Sequence, residues 1–180
     1  MSQYAIEMKE RSLKEKGKKL RRNGEVPCII FGKSLATNIP VKADHSKLLK
    51  LLKSNSDGSI IQLKVNGEVI NCVVKHVEKD PITGKLIHVE FQKVEENEVI
   101  KLKLSVNFIG HEALALKRLV IENFLNEIEL QGEASKIPEY IEINVGDMDY
   151  NDKLFVKDIE LPEGVTFITE PETLLAIVNA

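Results

Sequence analysis

Cysteine is scarce in this chain, with Cys28 and Cys72 the only two among 180 residues. Neither belongs to a Cys-x-x-Cys pair and the four histidines are scattered, so the ligand spacing of a structural metal site is missing and no metal is expected. Both thiols sit inside apolar runs, which reads as small buried residues in a reducing compartment. Long hydrophobic runs are missing as well. No stretch approaches the ~20 apolar residues of a membrane span, and the opening Met1-Ser2-Gln3-Tyr4-Ala5-Ile6-Glu7-Met8-Lys9-Glu10-Arg11 has no apolar core of signal-peptide length. The expectation is a soluble, cytoplasmic protein without membrane contact. Enzyme signatures are absent in the same way: there is no Walker glycine loop, no Gly-x-Ser-x-Gly elbow, no His-Glu-x-x-His and no dinucleotide fingerprint. None of His45, His76, His88 and His111 stands beside a Ser or Cys in a nucleophile setting. Neither catalysis nor a cofactor is expected.

What is present is charge, unevenly placed. From Lys14 to Arg22 the chain carries six cations and one anion, then turns at once into the apolar run Val26-Pro27-Cys28-Ile29-Ile30-Phe31-Gly32. A basic arm leading into a buried strand holds positive charge on a rigid base. The overall net charge of -3 conceals the asymmetry, because residues 1–93 sum to +8 and residues 94–180 to -11. Such a split points to a polyanion partner for the basic half, the alternative being two solvated surfaces of opposite bias. The length suits either one large domain or two of about 90 residues, each with a feasible core. An apolar fraction of 43% and a charged fraction of 29% are those of a globular protein.

Strand signals dominate. Ser59 to Val65 and Glu68 to Val74 are β-rich runs joined by Asn66-Gly67, a pair that accepts positive φ at both positions and predicts a type I′ hairpin. Upstream, Asp44 caps a short helix with Leu48, Leu49, Leu51 and Leu52 on one stripe and lysines at its edges. Downstream, Asp80-Pro81-Ile82-Thr83-Gly84 reads as a turn and Lys85 to Phe91 as a strand, with His88 and Glu90 on one face and Ile87, Val89 and Phe91 on the other. Val94-Glu95-Glu96-Asn97-Glu98 marks the change of sign and a domain edge, dividing the chain at 1–93 and 94–180. Beyond it, Ile100, Leu102, Leu104, Val106 and Phe108 alternate with polar residues, the clearest period-two run in the chain. Further strands are expected at Glu127 to Gln131, Tyr140 to Val145, Lys153 to Val156 and Leu174 to Val178. Turns are expected at Gly132, Pro138, Gly146, Pro162-Glu163-Gly164 and Pro171. Residues 111–124 fit a helix or an extended loop equally. The fold class is thus mainly β with a few short helices, and the second domain is a sandwich or barrel.

Two groups carry candidate chemistry. Asp147, Asp149, Asp152 and Asp158 surround Tyr150, but without the glycine and terminal Glu of a calcium loop they read as a solvated turn. The basic arm is the better candidate, since Lys and Arg neutralise phosphates and release counterions without sequence preference. Specificity would then come from shape or base edges, with Phe31, Lys85, His88 and Glu90 projecting beside the arm. Phe31 is equally readable as core, and His88 with Glu90 as a simple cross-strand polar pair.

The residues also carry a resemblance. Lys18-Lys19-Leu20-Arg21-Arg22, Gly24, Val26-Pro27-Cys28-Ile29-Ile30-Phe31-Gly32 and Asp80-Pro81-Ile82-Thr83-Gly84-Lys85-Leu86-Ile87-His88-Val89-Glu90-Phe91 resemble the family of bacterial ribosomal protein twenty-five of the large subunit. Ile137-Pro138-Glu139-Tyr140-Ile141-Glu142-Ile143, Val156-Lys157-Asp158-Ile159 and Leu161-Pro162-Glu163-Gly164-Val165 resemble the C-terminal domain of its long form, the general stress protein Ctc. The resemblance implies an N-terminal β-barrel that binds 5S ribosomal RNA and a β-rich C-terminal domain. It also implies no catalysis, and as partners the 50S subunit and neighbouring ribosomal proteins, the latter through the acidic domain. Together with the arm it makes Lys9, Lys14, Lys18, Lys19, Arg21, Arg22, Phe31, Glu78, Lys85, His88 and Glu90 the candidate RNA-binding residues.

The chain departs from that pattern in places. Leu13 and Glu15 interrupt the small residues usual before the basic run. Phe31 replaces Tyr, Glu78 replaces Gln, and Glu90 replaces Asp, while Ala113 to Leu119 replaces a Gly-rich segment. Glu78 on a phosphate-facing surface would repel, so weakened RNA affinity is expected. The rival readings are a stress-related protein with weak or transient ribosome association and an RNA-related enzyme subunit on a similar barrel.

Overall fold

The computed structural model describes residues 6–12, 14–55, 58–95 and 97–180. Leu13, the first five residues of the opening segment, and Glu96 of the domain edge therefore lie outside the described residues. The chain divides into two compact units, Met1–Glu96 and Asn97–Ala180.

Six strands of the first unit close into a barrel: β1 (Ile6–Glu10), β2 (Glu25–Phe31), β3 (Ile39–Asp44), β4 (Ile61–Val65), β5 (Glu68–Lys79) and β6 (Leu86–Lys93), in the order β1-β3-β2-β6-β5-β4. Two parallel pairings make closure possible, β2 beside β6 and β1 beside β4, the latter running from Ile6 opposite Leu63 to Met8 opposite Val65. A closed sheet leaves no open edge. Its inward residues, among them Met8, Cys28, Ile30, Val41, Leu63, Cys72, Val89 and Phe91, form one buried cluster. Helix α2 (His45–Ser54) joins that cluster through Leu48 and Leu51, and Asp44 caps it by accepting the Lys47 N–H at 3.0 Å. The Asn66-Gly67 hairpin forms as the sequence predicts, with φ of 51° and 90° and Val65 opposite Glu68. A six-residue helix, α1 (Gly17–Arg22), occupies the arm and packs on β2 with Leu20 buried.

One expectation in β6 fails. Ile87 does not share the inner face with Val89 and Phe91; Leu86 does, and Ile87 is half-buried. The cause is a pair of compensating bulges. Val74 opposes Phe91 and His76 opposes Glu90, leaving Lys75 as an extra residue on β5; Glu78 opposes His88 and Lys79 opposes Leu86, leaving Ile87 as an extra residue on β6.

The second unit holds a four-stranded sheet, β10-β7-β9-β12, and a three-stranded sheet, β11-β13-β8. Its strands are β7 (Val99–Ile109), β8 (Val120–Asn123), β9 (Glu127–Glu133), β10 (Ile141–Asn144), β11 (Lys153–Phe155), β12 (Thr166–Phe167) and β13 (Leu174–Asn179). The alternation read in β7 is realised, with Ile100, Leu102, Leu104, Val106 and Phe108 all buried. Residues 111–124 are both things at once, α3 (His111–Leu116) followed by β8. Gly132 is not a turn but the interior of β9. A Cβ there would lie 3.0 Å from Val165 Cγ2 and 3.2 Å from the Gly164 carbonyl, so this glycine permits close approach of the neighbouring chain. The aspartates around Tyr150 act as local caps and pairs: Asp152 accepts the Asp149 N–H, Asp149 pairs with Lys117, and Asp158 accepts the Phe155 N–H.

Candidate nucleic-acid interface

Every strand-borne candidate lies on the arc β1-β3-β2-β6-β5 of the barrel wall, with α1 resting on its central strand. Lys9 is exposed on β1 opposite Lys42 of β3. Lys14 is exposed in the turn before α1, and Lys18, Lys19, Arg21 and Arg22 are exposed on the helix itself. The short helix projects these cations outward because Leu20 turns inward and is only 4% exposed.

Arg21 is tied to the wall. Its Nη1 donates to the Ile87 carbonyl at 3.3 Å, at the β6 bulge. Beside that tie lies a polar quartet built by the shifted register, with Glu78 opposite His88 and His76 opposite Glu90. Burial, more than anything else, pushes the His88 pKa below its ordinary value; Arg11 and His76 push the same way, while Glu90 and Glu78 oppose them. The result is an imidazole biased to the neutral form, able to donate through one nitrogen and accept through the other. Phe31, at the end of β2 and in register with Gln92, is half-buried, so part of its ring edge remains open. Lys85 is exposed where the Asp80 turn enters β6. That turn is rigid, because Asp80 Oδ1 accepts the N–H groups of Ile82 and Thr83 at 3.0 and 2.7 Å. Those bonds, led by that of Thr83, hold the Asp80 pKa down.

The arrangement brings Arg21, Glu78, His88 and Glu90 onto adjacent parts of one wall, whereas Lys9 stands two strands beyond β2. Sequence reading missed Arg11 and His76. Arg11 follows β1, its backbone N–H bonds the Pro40 carbonyl, its charge acts on His88, and its Nε is buried without a hydrogen-bond partner among the described residues. A signal for His76 existed, since two imidazoles alternating with two carboxylates on a hairpin are expected to meet across the strands; the bulges decide which opposes which. Among the described residues no group of three or more metal-binding side chains is assembled, and no helix is long and apolar enough to cross a membrane.

Comparison with known proteins agrees with this layout. Residues 6–91 match the Ribosomal L25p family, and residues 99–180 match the C-terminal domain of ribosomal protein TL5. The large ribosomal subunit protein bL25 of Desulfitobacterium hafniense is 38% identical over 179 residues, covering 99% of this chain and 98% of that protein. The chain belongs to the ribosomal L25p family. Other members share its two-part length. The bL25 protein of a Thermoanaerobacter species is 31% identical over 100% of this chain and 90% of its own length, and that of Clostridium tetani is 32% identical over 92% and 86%. The two family matches fall one on each compact unit, so the barrel and the second β unit are the two parts of the family's long form.

Proposed function

We propose that this chain is a structural protein of the large (50S) ribosomal subunit that binds 5S ribosomal RNA through the arc β1-β3-β2-β6-β5. The observation that carries the reading is the display of Lys14, Lys18, Lys19 and Arg22 as exposed cations on a segment docked beside the His88 quartet. The cations supply phosphate affinity, while Phe31, Lys85, His88, Glu90 and the bulged wall supply shape and base-edge or sugar contacts. Residues 1–93 form the basic RNA-binding domain in this reading, with Lys9 at its margin. The acidic residues 94–180 repel the same ligand and contact a neighbouring ribosomal protein instead. Its role in the particle is binding, with no covalent step.

The test is titration of labelled 5S RNA with the full chain and with a Lys18→Ala, Lys19→Ala, Arg22→Ala variant. Loss of about three phosphate contacts should reduce the slope of log K against log salt by roughly 2 to 3 units. An unchanged slope would place the helix away from the RNA. A second reading, weak or transient occupancy under stress, is favoured by one observation: Glu78 is an exposed carboxylate directly opposite His88. Sucrose-gradient sedimentation with 50S particles at low and high salt separates stable from transient occupancy.

A further inference from the structure

Glu15 is the one carboxylate within the cationic stretch from Lys14 to Arg22. On charge alone it only opposes a polyanion. The structure gives it another role. Its Oε1 lies 3.3 Å from Lys42 Nζ, and the same ammonium is held by Glu25 Oε2 at 3.2 Å. Those two carboxylates, Glu25 foremost, raise the Lys42 pKa. Lys42 stands on β3 in register with Lys9 of β1 and Pro27 of β2, with its side chain only 17% exposed. It is therefore a fixed post on a closed wall. At the far end of α1, Arg21 is tied to the Ile87 carbonyl, and between the two ties Leu20 is buried. Gly17 makes room for the second tie, since a Cβ there would lie 3.1 Å from Arg21 Nη1. A six-residue helix is too short to hold itself in water. This one is attached at its entry, its middle and its exit.

We propose that Glu15 is a positioning residue: by pairing with Lys42 it fixes the entry of α1 and preorganises the helix cations for RNA. The proposal rests on the RNA-binding reading above. A loose arm must be ordered on binding and loses affinity by that cost; a pinned arm does not. Lys18, Lys19 and Arg22 are then presented to phosphate by a helix whose own carboxylate faces the barrel.

The substitution Glu15→Gln in the full chain decides the matter, because the two accounts have opposite signs. Removing mere repulsion tightens RNA binding. Removing a pin raises the dissociation constant for 5S RNA by about two- to fivefold, the range of an exposed ion pair, and leaves the salt slope unchanged because no phosphate contact is lost. In the RNA-free protein, amides of residues 17–22 should exchange with deuterium faster in the variant. In a Lys42→Met background the same substitution should carry neither penalty. Equal or tighter RNA binding by Glu15→Gln, or unchanged exchange across α1, overturns the proposal while leaving the RNA reading intact. A wild-type chain that fails to bind 5S RNA sinks that reading, and the role of the pin with it.

Discussion

The basic unit and the acidic unit differ less in architecture than in what they do with their lysines. Among the described residues of Met1–Glu96, the side chains of Lys14, Lys18, Lys19 and Arg22 make no ion pair and stand exposed on or beside α1. In Asn97–Ala180, Lys117 pairs with Asp149 at 3.1 Å, Lys136 with Glu133 at 3.0 Å and Lys157 with Glu172 at 2.8 Å, the last also lying 5.4 Å from the centre of the Phe155 ring. Cations already neutralised by neighbours add little field at a distance. The nets of +8 and -11 therefore understate the contrast: one unit leaves its cations free, the other leaves only its carboxylates in excess.

The largest expected effect is a separation of binding. A fragment of residues 1–96 should bind 5S RNA with an affinity close to that of the whole chain, and a fragment of residues 97–180 should not bind measurably. The cut after residue 96 keeps Val94, which is buried and donates its N–H to the Asn71 carbonyl. Tight RNA binding by the acidic fragment, checked by filter binding or anisotropy, would reverse the assignment of roles.

Core lesions should break one unit at a time. Phe91→Ala removes a fully buried side chain from the barrel cluster, at a cost of about 3–5 kcal/mol. RNA binding should fail with it. Gly110→Ala strikes the other unit: Gly110 has φ of 91°, and a Cβ there would sit 2.7 Å from the Gly146 backbone N. The left-handed conformation and the forced shift together should cost about 2–4 kcal/mol, with RNA affinity unchanged. Urea unfolding followed alongside RNA titration checks both. Loss of RNA binding in Gly110→Ala would mean the second unit supports the interface.

Glu78 is the place where the basic unit imitates the acidic one. On the contact surface beside His88, Glu78→Gln removes a like-charge repulsion and restores a donor, so RNA affinity should rise by about 1 kcal/mol, and less at high salt. Equal affinities of the two forms at low and high salt would place Glu78 outside the interface and remove the reason to expect weak ribosome occupancy.

Much of this comparison was readable before any coordinates, and the reason is locality. The Asn66-Gly67 hairpin, the Asp44 cap and the alternation in β7 are each specified by a few neighbouring residues, and each forms as expected. The β6 bulge is different. Nothing in Leu86-Ile87-His88 announces that Leu86 rather than Ile87 faces inward, because the extra residue answers a bulge at Lys75 on the partner strand. Gly132 misled for a related reason: a strand glycine that admits Val165 has the same sequence signature as a turn. β8 and β12 are short and gain their identity only from Val178, Leu130 and their neighbours across the sheet. The candidate interface inherits the same limit. Cations on one helix can be read off in order, but the tie from Arg21 to Ile87 and the pair of Glu15 with Lys42 join residues 66 and 27 positions apart.

The smallest expected effect is a pH dependence confined to the basic unit. His88 has a folded pKa below 6.5, with burial as the main cause. Above 6.5 the imidazole is neutral in both folded and unfolded chains and its burial carries no penalty. As pH falls through 6.5 the unfolded chain takes up the proton first, so the folded state loses stability progressively until the folded pKa is passed. The loss should be modest, since Glu90 and Glu78 pull the other way. Urea midpoints of the barrel unit at pH 7.5 and pH 5.5 measure it, and His88→Asn should flatten the difference. Glu90→Gln removes the larger of the two opposing charges and should steepen it. A midpoint in wild type that rises on acidification would mean the carboxylates outweigh burial, making His88 a charged neighbour of the RNA and removing its assignment as a neutral donor and acceptor.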